Sequence, residues 1–373
     1  MSTARKVLFL NWPLLLLVLL LAGFGIFAIY SATWMRDQDF WSRQLIWLVV
    51  GLVLCAAVSL RNYEWVRVGA VPLYIAAVVG LVITHFFGAK VYGARSWLDL
   101  GFITFQPAQL AIIASIMVLS VFLSGYEEMP APLRIAVCGL IAAVPFVLIL
   151  IQPDLGSAIT WMPVFLALLY AARIPARYLI SMVLLVVAII PLVVNFGLRP
   201  YQRQRIVTFL DPELDPRGAG WTINQSLTAI GSGGWGGKGF KAPNTLNELG
   251  FLPSTIVHND FIFSVIGEQH GFIGGALLLL AFALLTGLGL LVALKATDDL
   301  GRLLAVGLTT LLFTHIFMNI GMTIGVTPIT GLPLPLVSYG GSFLLAVCLS
   351  IGLLQSIWVH RQRAGGRRLW IRK

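Results

Sequence analysis

Charged side chains are scarce in this chain, and a few of them stand directly beside long apolar runs, where chemistry is most to be expected. His258-Asn259-Asp260 opens a long apolar segment, directly after the longest polar stretch in the sequence. A carboxylate at a helix amino terminus is stabilised by free backbone donors and stays ionised. It can therefore take a proton from a hydroxyl brought to it, the task of a general base; a lone Asp there equally reads as an N-cap. Glu268 lies two turns further along, where a polar cavity suits it better than lipid. Gln152-Pro153-Asp154-Leu155-Gly156-Ser157 is a tight turn whose two flanks are apolar, so Asp154 sits at the membrane edge. That carboxylate is a helix cap, or a cap that also contacts a ligand. Arg199, Arg203 and Arg205 form a cationic group suited to phosphate, to lipid headgroups or to the acidic stretch that follows. Lys238 and Lys241 stand in a glycine-rich run beginning at Gly231, and Arg95 stands in Gly93-Ala94-Arg95-Ser96-Trp97. Lys238 is followed by Gly239 rather than Ser or Thr, so this run is no nucleotide phosphate loop. Its glycines let backbone approach a bulky ligand or a membrane surface.

The elements that position these groups follow from composition. Of 373 residues, 58% are hydrophobic and 11% charged, against roughly 25% charged in soluble chains. Mean hydropathy is +0.91. A bilayer core takes roughly 20 apolar residues in helical form, and runs such as Leu14 to Leu21 lack the alternation of a barrel strand. The fold class expected is an all-α integral membrane protein with about ten spans: 11–31, 43–60, 67–87, 105–124, 134–151, 156–172, 178–197, 259–294, 302–324 and 338–360. The first is too long for a signal-peptide core and reads as a retained helix. The eighth exceeds what a bilayer needs, so it starts above the membrane or tilts strongly. Residues 1–373 read as one membrane domain, with 198–258 a long outer loop too polar to enclose a substantial core.

Basic residues orient the bundle. With the amino terminus inside, fifteen Lys and Arg fall on the inner side and four in short outer loops. Both termini are then cytoplasmic, and the polar motifs above collect on the outer face. The basic tail from Arg361 to Lys373 matches anionic headgroups, with no nucleic acid implied. Cys55, Cys138 and Cys348 all lie in apolar segments and read as small hydrophobes. The segment from Pro328 to Gly341 holds three prolines and four glycines or serines at its turns, and it must be buried in protein or line a cavity.

Thr330-Gly331-Leu332-Pro333-Leu334-Pro335 with Ser338-Tyr339-Gly340-Gly341 resembles the signature of the SEDS family (shape, elongation, division and sporulation). Asn319, Gly321, Gly93 to Trp97, Gln152 to Ser157, Gly231 to Gly234 and Asp260 to Phe263 match further blocks along essentially the whole chain. The Gly-Lys-Gly-Phe-Lys stretch and Phe251-Leu252-Pro253 look most like the elongation branch, ahead of the division branch. The resemblance implies a peptidoglycan glycosyltransferase that polymerises lipid II at the outer face of the bacterial cytoplasmic membrane and releases undecaprenyl diphosphate. Asp260 inherits the essential aspartate's role. Substrate contacts are expected from Arg95, Asp154, Arg199, Arg203, Arg205, Lys238, Lys241 and Ser338. A divalent cation, Mg or Mn, could share the leaving-group charge, with Asp154 or Glu268 as ligands. The implied partner is a class B penicillin-binding protein transpeptidase, docked along spans eight and nine and ordering the long loop, with other elongation-complex membrane proteins nearby.

Three departures from the family pattern stand out. Gln109 and Ile112 replace a buried acid and base together, which avoids stranding either charge. Ser254 replaces a glutamate, and the stretch before His258 is about two residues longer; Asn259 replaces a threonine. The competing reading is a lipid II flippase, which needs a polar path across the whole membrane. Few ionisable residues lie in the inner halves of the spans, which favours the enzyme.

Overall fold

A computed structural model describes residues 3–35, 39–91, 94–99, 101, 104–197, 200–216 and 218–361. The apolar runs become helices α1 (Trp12–Thr33), α2 (Phe40–Leu60), α3 (Val66–Phe87), α4 (Pro107–Gly125), α5 (Ala131–Ile151), α6 (Leu155–Ala171) and α7 (Ala176–Leu192). The long loop contributes α8 (Pro200–Leu210) and α9 (Ala219–Ser232), and the bundle closes with α10 (Ile262–Lys295), α11 (Asp299–Thr323) and α12 (Gly341–His360). Eight helices are long and apolar enough to cross a membrane, and α6 and α7 are shorter apolar helices of 17 residues each. The helix starts are written locally. Asn11 accepts from the Leu14 amide, Asp154 from that of Ser157 and Asp298 from that of Gly301, each satisfying a first-turn donor that has no helical partner.

Helices α4, α11 and α12 are almost wholly enclosed and form the centre, whereas α7 buries no residue and lies at the periphery. At the end carrying the inner loops, two arginines close helix carboxyl termini. Arg134 is buried and donates to the Leu123 and Ala172 carbonyls, and Arg302 donates to that of Ala171. The carbonyl ends of α4 and α6 favour positive charge there.

At the opposite end the all-α expectation needs one addition. Strands β1 (Ala89–Val91), β2 (Ala94–Asp99) and β3 (Thr104–Phe105) form a small antiparallel ribbon in the order β1-β2-β3. Its registers pair Ala89 with Trp97 and Leu98 with Phe105. Ser96 of β2 donates to the Gln152 carbonyl and Gln152 to that of Leu81, so the ribbon braces the turn that holds Asp154.

Two expectations are corrected here. The eighth span is not one continuous helix: α10 breaks at Gly271 (φ 63°, ψ −161°), leaving a short first half, 262–270. The break frees backbone groups, and the glycine-rich run fills them. Lys238 and Gly239 amides donate to the Glu268 and Gln269 carbonyls at 3.0 and 2.9 Å, while Phe272 and Ile273 amides donate to Gly234 and Trp235 at 2.8 and 3.1 Å. A side chain at Gly233 or Gly237 would lie 2.1 Å from a carbonyl oxygen of α10. These glycines therefore serve helix-to-loop packing, where a ligand or membrane approach was expected. The loop is also more structured than its composition suggests, burying Ile223, Ala229, Leu252 and Val257.

The segment after α11 enters the bundle as expected of a buried loop. A Cβ at Gly25, midway along α1, would lie 2.5 Å from the Leu336 carbonyl oxygen, and one at Gly156 would lie 2.4 Å from that of Thr330. Gly23, on the same helix, has nothing within 4 Å. Gly25→Val should lower the melting temperature in detergent, through overpacking of about 1–3 kcal/mol, and reduce the monodisperse yield. Gly23→Ala should match or exceed the wild type, because alanine is the better helix former by about 1 kcal/mol. Equal melting temperatures for the two variants would contradict this seating of the loop.

Candidate active site

The re-entrant segment, the start of α10 and the loop helix α8 meet at the outer end of the bundle. Asp260 lies one residue before the cap of α10, its amide bonded to the Ile256 carbonyl at 2.8 Å. Asn319 of α11 fixes it from below, donating to the carbonyls of Asp260 at 3.0 Å and Leu332 at 2.7 Å. From the side, the Ser338 hydroxyl donates to the Asn259 carbonyl and accepts from the Leu334 amide, while the Tyr339 amide donates to the His258 carbonyl. Gln44 of α2 holds the far end of the segment, donating to the Ser338 carbonyl and accepting from the Gly340 amide. His258 stacks on Phe40, ring centroids 4.0 Å apart, and packs on Tyr339. The main chain around Asp260 is therefore pinned on three sides, while its carboxylate is left for other use.

That carboxylate lies over Gly331, where an added Cβ would be 3.5 Å from Oδ2; the positive φ of 71° there also favours glycine. Asp260 is half-buried by surface area yet sits in a dense protein environment. Burial pushes its pKa up to about 7, and the positive charge of Arg205 partly opposes the rise. Arg205 extends from α8 and donates to the Ile329 carbonyl at 3.4 Å. Its charge also reaches Asp154, whose pKa is likewise raised by burial and held down by Ser157, Gln106 and Arg205. Asp154 accepts from the Ser157 amide at 3.0 Å, the Ser157 hydroxyl at 2.8 Å and Gln106 at 2.9 Å. It is a helix cap, with Arg205 as the cation common to it and Asp260.

The other residues singled out from sequence are dispersed. Ser338 is buried, with its hydroxyl engaged by main chain. Lys238 pairs with Glu268 at 2.7 Å behind the site, and the same Glu268 oxygen accepts from the Leu246 amide at 2.8 Å. The Lys241 ammonium lies 3.8 Å from the Tyr30 ring centroid and 5.0 Å from that of Trp34, a cation over aromatic faces at the bundle surface. Arg203 is exposed on α8. Arg199 and the side chain of Arg95 lie outside the described residues. Gln109 and Ile112, the neutral pair, are both buried in the first turns of α4.

The divalent-cation expectation does not fit. Among the described residues no three His, Cys, Asp or Glu side chains come together. Glu268 faces an ammonium, and Asp154 is already occupied by three donors. Sequence reasoning missed two polar residues: Gln106, one turn ahead of Gln109, and Arg43 of α2, which lies against the Tyr339 hydroxyl. Both are single polar side chains at the mouth of an apolar helix, a pattern that signals only an interface when the fold is unknown.

A multi-pass membrane bundle with a carboxylate and an arginine converging on a buried loop at one end defines a polytopic membrane protein with a candidate site at that end. The family model of FtsW, RodA and SpoVE, described as cell cycle proteins, matches residues 12–363, and the chain belongs to this family. It is 39% identical over 357 residues to the peptidoglycan glycosyltransferase MrdB of Escherichia coli K12, covering 95% of this chain and 94% of that protein. It is 33% identical to the peptidoglycan glycosyltransferase RodA of Treponema pallidum, covering 95% and 98%. A chain of a peptidoglycan synthase complex that coordinates polymerization and crosslinking superposes with a TM-score of 0.81 at 30% identity, covering 94% and 98%. The crystal structure of Thermus thermophilus RodA gives a TM-score of 0.71 at 27% identity, covering 94% and 97%.

The raised pKa of Asp260 makes a stability prediction with a definite sign. Its folded-state pKa lies above the ordinary carboxylate value, so the wild type loses stability as pH climbs from about 4 to about 7. Asp260→Asn, which cannot ionise, should melt alongside the wild type near pH 4 and about 2 °C or more above it at pH 8. A lower melting temperature at pH 8 would show that the ionised carboxylate is stabilised by its surroundings.

Proposed function

We propose that this chain is a peptidoglycan glycosyltransferase that polymerises lipid II, with Asp260 as the general base. The observation that carries the reading is the Asp260 carboxylate itself: pinned through its backbone, reachable from the outer end, raised to about 7, and accompanied by Arg205. A base is most effective when its pKa lies near the working pH. It accepts the proton of an acceptor sugar hydroxyl as that oxygen attacks the anomeric carbon of the growing strand. The bond from that carbon to the diphosphate oxygen breaks, and its electron pair leaves with undecaprenyl diphosphate. One such displacement inverts the anomeric centre. Charge accumulates on the departing diphosphate, and Arg205, whose charge reaches Asp260 and which carries planar paired donors, is the cation we assign to it. Lys238 is committed to Glu268, which leaves Arg199, Arg203, Lys241 and Arg95 for the glycan or for headgroups.

Peptidoglycan glycosyltransferase is the name carried by the MrdB and RodA relatives, and the synthase-complex chain supports a crosslinking partner beside the polymerase. We take that partner to be a class B penicillin-binding protein and the role to be elongation. Its membrane helix finds α10 open, with Phe272, Ile273, Leu277, Leu280 and Leu284 outward, whereas enclosed α11 offers chiefly Phe313 and Phe317. We take both termini to be cytoplasmic and the Asp260 end to face outward, a reading that the charge asymmetry supports. At the inner end, polar side chains such as Arg134, Tyr63 and Asp298 are engaged in helix capping and loop contacts, which favours polymerisation over flipping.

The purified full chain should convert fluorescent lipid II into polymer in detergent, and Asp260→Asn should lose about 10²-fold or more of the rate. Transfer of lipid II across vesicles with no polymer would replace this function with a flippase. In the pH–rate profile, activity should fall away below about 7, where Asp260 binds its proton. Arg205→Gln should move that acid limb to higher pH, because it removes the positive charge that opposes the rise, and should also slow the plateau rate. An acid limb that stays in place would mean that Arg205 does not act on the base.

A further inference from the structure

The outer half of α10 is a short helix whose orientation its own chain does not determine. The left-handed turn at Gly271 interrupts the helix, so residues 262–270 can pivot relative to the membrane-spanning part. A nine-residue helix has little stability of its own. Its direction is therefore set by what holds it from outside: the bonds that pin the main chain at Asp260, the Ser226–Ser264 hydroxyl pair at 2.6 Å, and the ties beside the break. Three ties reach it from the opposite end, one turn or less from the break. The Glu268 and Gln269 carbonyls take the amides of Lys238 and Gly239. The Gln269 side chain accepts from the Ser31 hydroxyl of α1 at 2.7 Å. The buried Glu268 carboxylate takes the Lys238 ammonium at 2.7 Å, the Leu246 amide at 2.8 Å and, at 3.5 Å, the Ser232 hydroxyl, all on Oε1. The second oxygen, Oε2, is buried with no hydrogen-bond partner among the described residues.

We propose that Glu268 is a positioning residue for the polymerisation reaction: its buried pair with Lys238 clamps the 262–270 half-helix to the outer loop and so aims the Asp260 carboxylate. The pair is poorly designed for stability. One oxygen carries every contact, the other carries none, and apolar replacements of buried ion pairs are often as stable or more so. What the pair supplies is direction. It joins residues 238 and 246, at either side of a loop excursion, to a single point on the half-helix. Neighbouring Asn247 donates to the Ala32 carbonyl at the outer end of α1, so the clamp is referred to a fixed helix of the bundle. A displacement of about 1 Å at a catalytic group is enough to lose about 10²-fold in rate. Lys238 and Glu268 spend their charges on each other, so the clamp should act on turnover and spare binding.

This inference rests on Asp260 being the base, and the test keeps the two readings apart. Full-length Glu268→Gln, Lys238→Gln, the double variant, Asp260→Asn and Tyr63→Phe would be purified and assayed with lipid II, with rates taken per monodisperse enzyme. Tyr63 bonds Asp298 at the opposite end of the bundle and controls for a plain loss of stability. Glu268→Gln and Lys238→Gln should each lower kcat about tenfold or more, with the KM for lipid II within about twofold of wild type. The double variant should be no worse than either single one, because both break the same contact. Tyr63→Phe should lower the melting temperature and leave kcat unchanged. Lys238 is part-exposed, so Lys238→Gln carries the test if Glu268→Gln does not fold. If kcat per folded enzyme is unchanged, or if the two losses multiply in the double variant, the positioning role is overturned while Asp260 keeps its own. If Asp260→Asn retains its rate, the base assignment fails first.

Discussion

Everything at the outer end of this protein depends on one constraint: irregular backbone placed among apolar helices must find a partner for each of its amides and carbonyls, because lipid offers none. The segment after α11 meets it with side chains from its neighbours. Asn319 takes two carbonyls, Ser338 an amide and a carbonyl, and Gln44 one of each. The broken helix α10 meets it with backbone alone, borrowing residues 234–239 of the loop to complete its interrupted ladder. Both solutions require glycine where two main chains touch. Gly25, Gly156, Gly233 and Gly237 thus mark the places where backbone meets backbone.

The same constraint explains how a carboxylate with a raised pKa is kept in place. Asp260 is held through its peptide groups, not through its side chain, so the carboxylate oxygens are spared for chemistry. Asp154, a few residues from a similar membrane edge, is treated in the opposite way: three donors converge on its oxygens and make it a cap. Two aspartates within reach of one arginine differ in where their hydrogen bonds fall, with Arg205 supplying positive charge to both.

Much of this architecture was legible in the sequence. Apolar run length located ten apolar helices to within a few residues, and the polar turns between them held the residues of the candidate site. Asp260 stood out because a charged residue at the mouth of an apolar helix needs a reason. The break in α10 was not read from the sequence: Glu268-Gln269-His270 interrupt the apolar run just before Gly271, but a polar dip alone does not say that the helix breaks, and the left-handed backbone there does. Nor was the pairing of Lys238 with Glu268, which are separated by thirty positions and a loop of unknown path. The glycine-rich run was misread for the same reason: composition announces that something approaches closely, and only the fold says what. The ribbon β1–β3 escaped notice because its strands are too short for alternation to register.

Helix α6 has a consequence for the membrane itself. At 17 residues it spans about 26 Å, less than the roughly 30 Å of hydrocarbon in an average bilayer, whereas α7 is carried on by a further helical turn, Val193–Gly197. A short apolar span is accommodated by thinning of the adjacent bilayer or by packing against longer neighbours. Where lipid reaches the Asp154 end of α6, thinning would bring headgroups down toward that cap. A diphosphate carried on a polyprenyl chain would then meet the protein with its charge already near the site, and the local shape of the bilayer would become part of how the substrate is delivered.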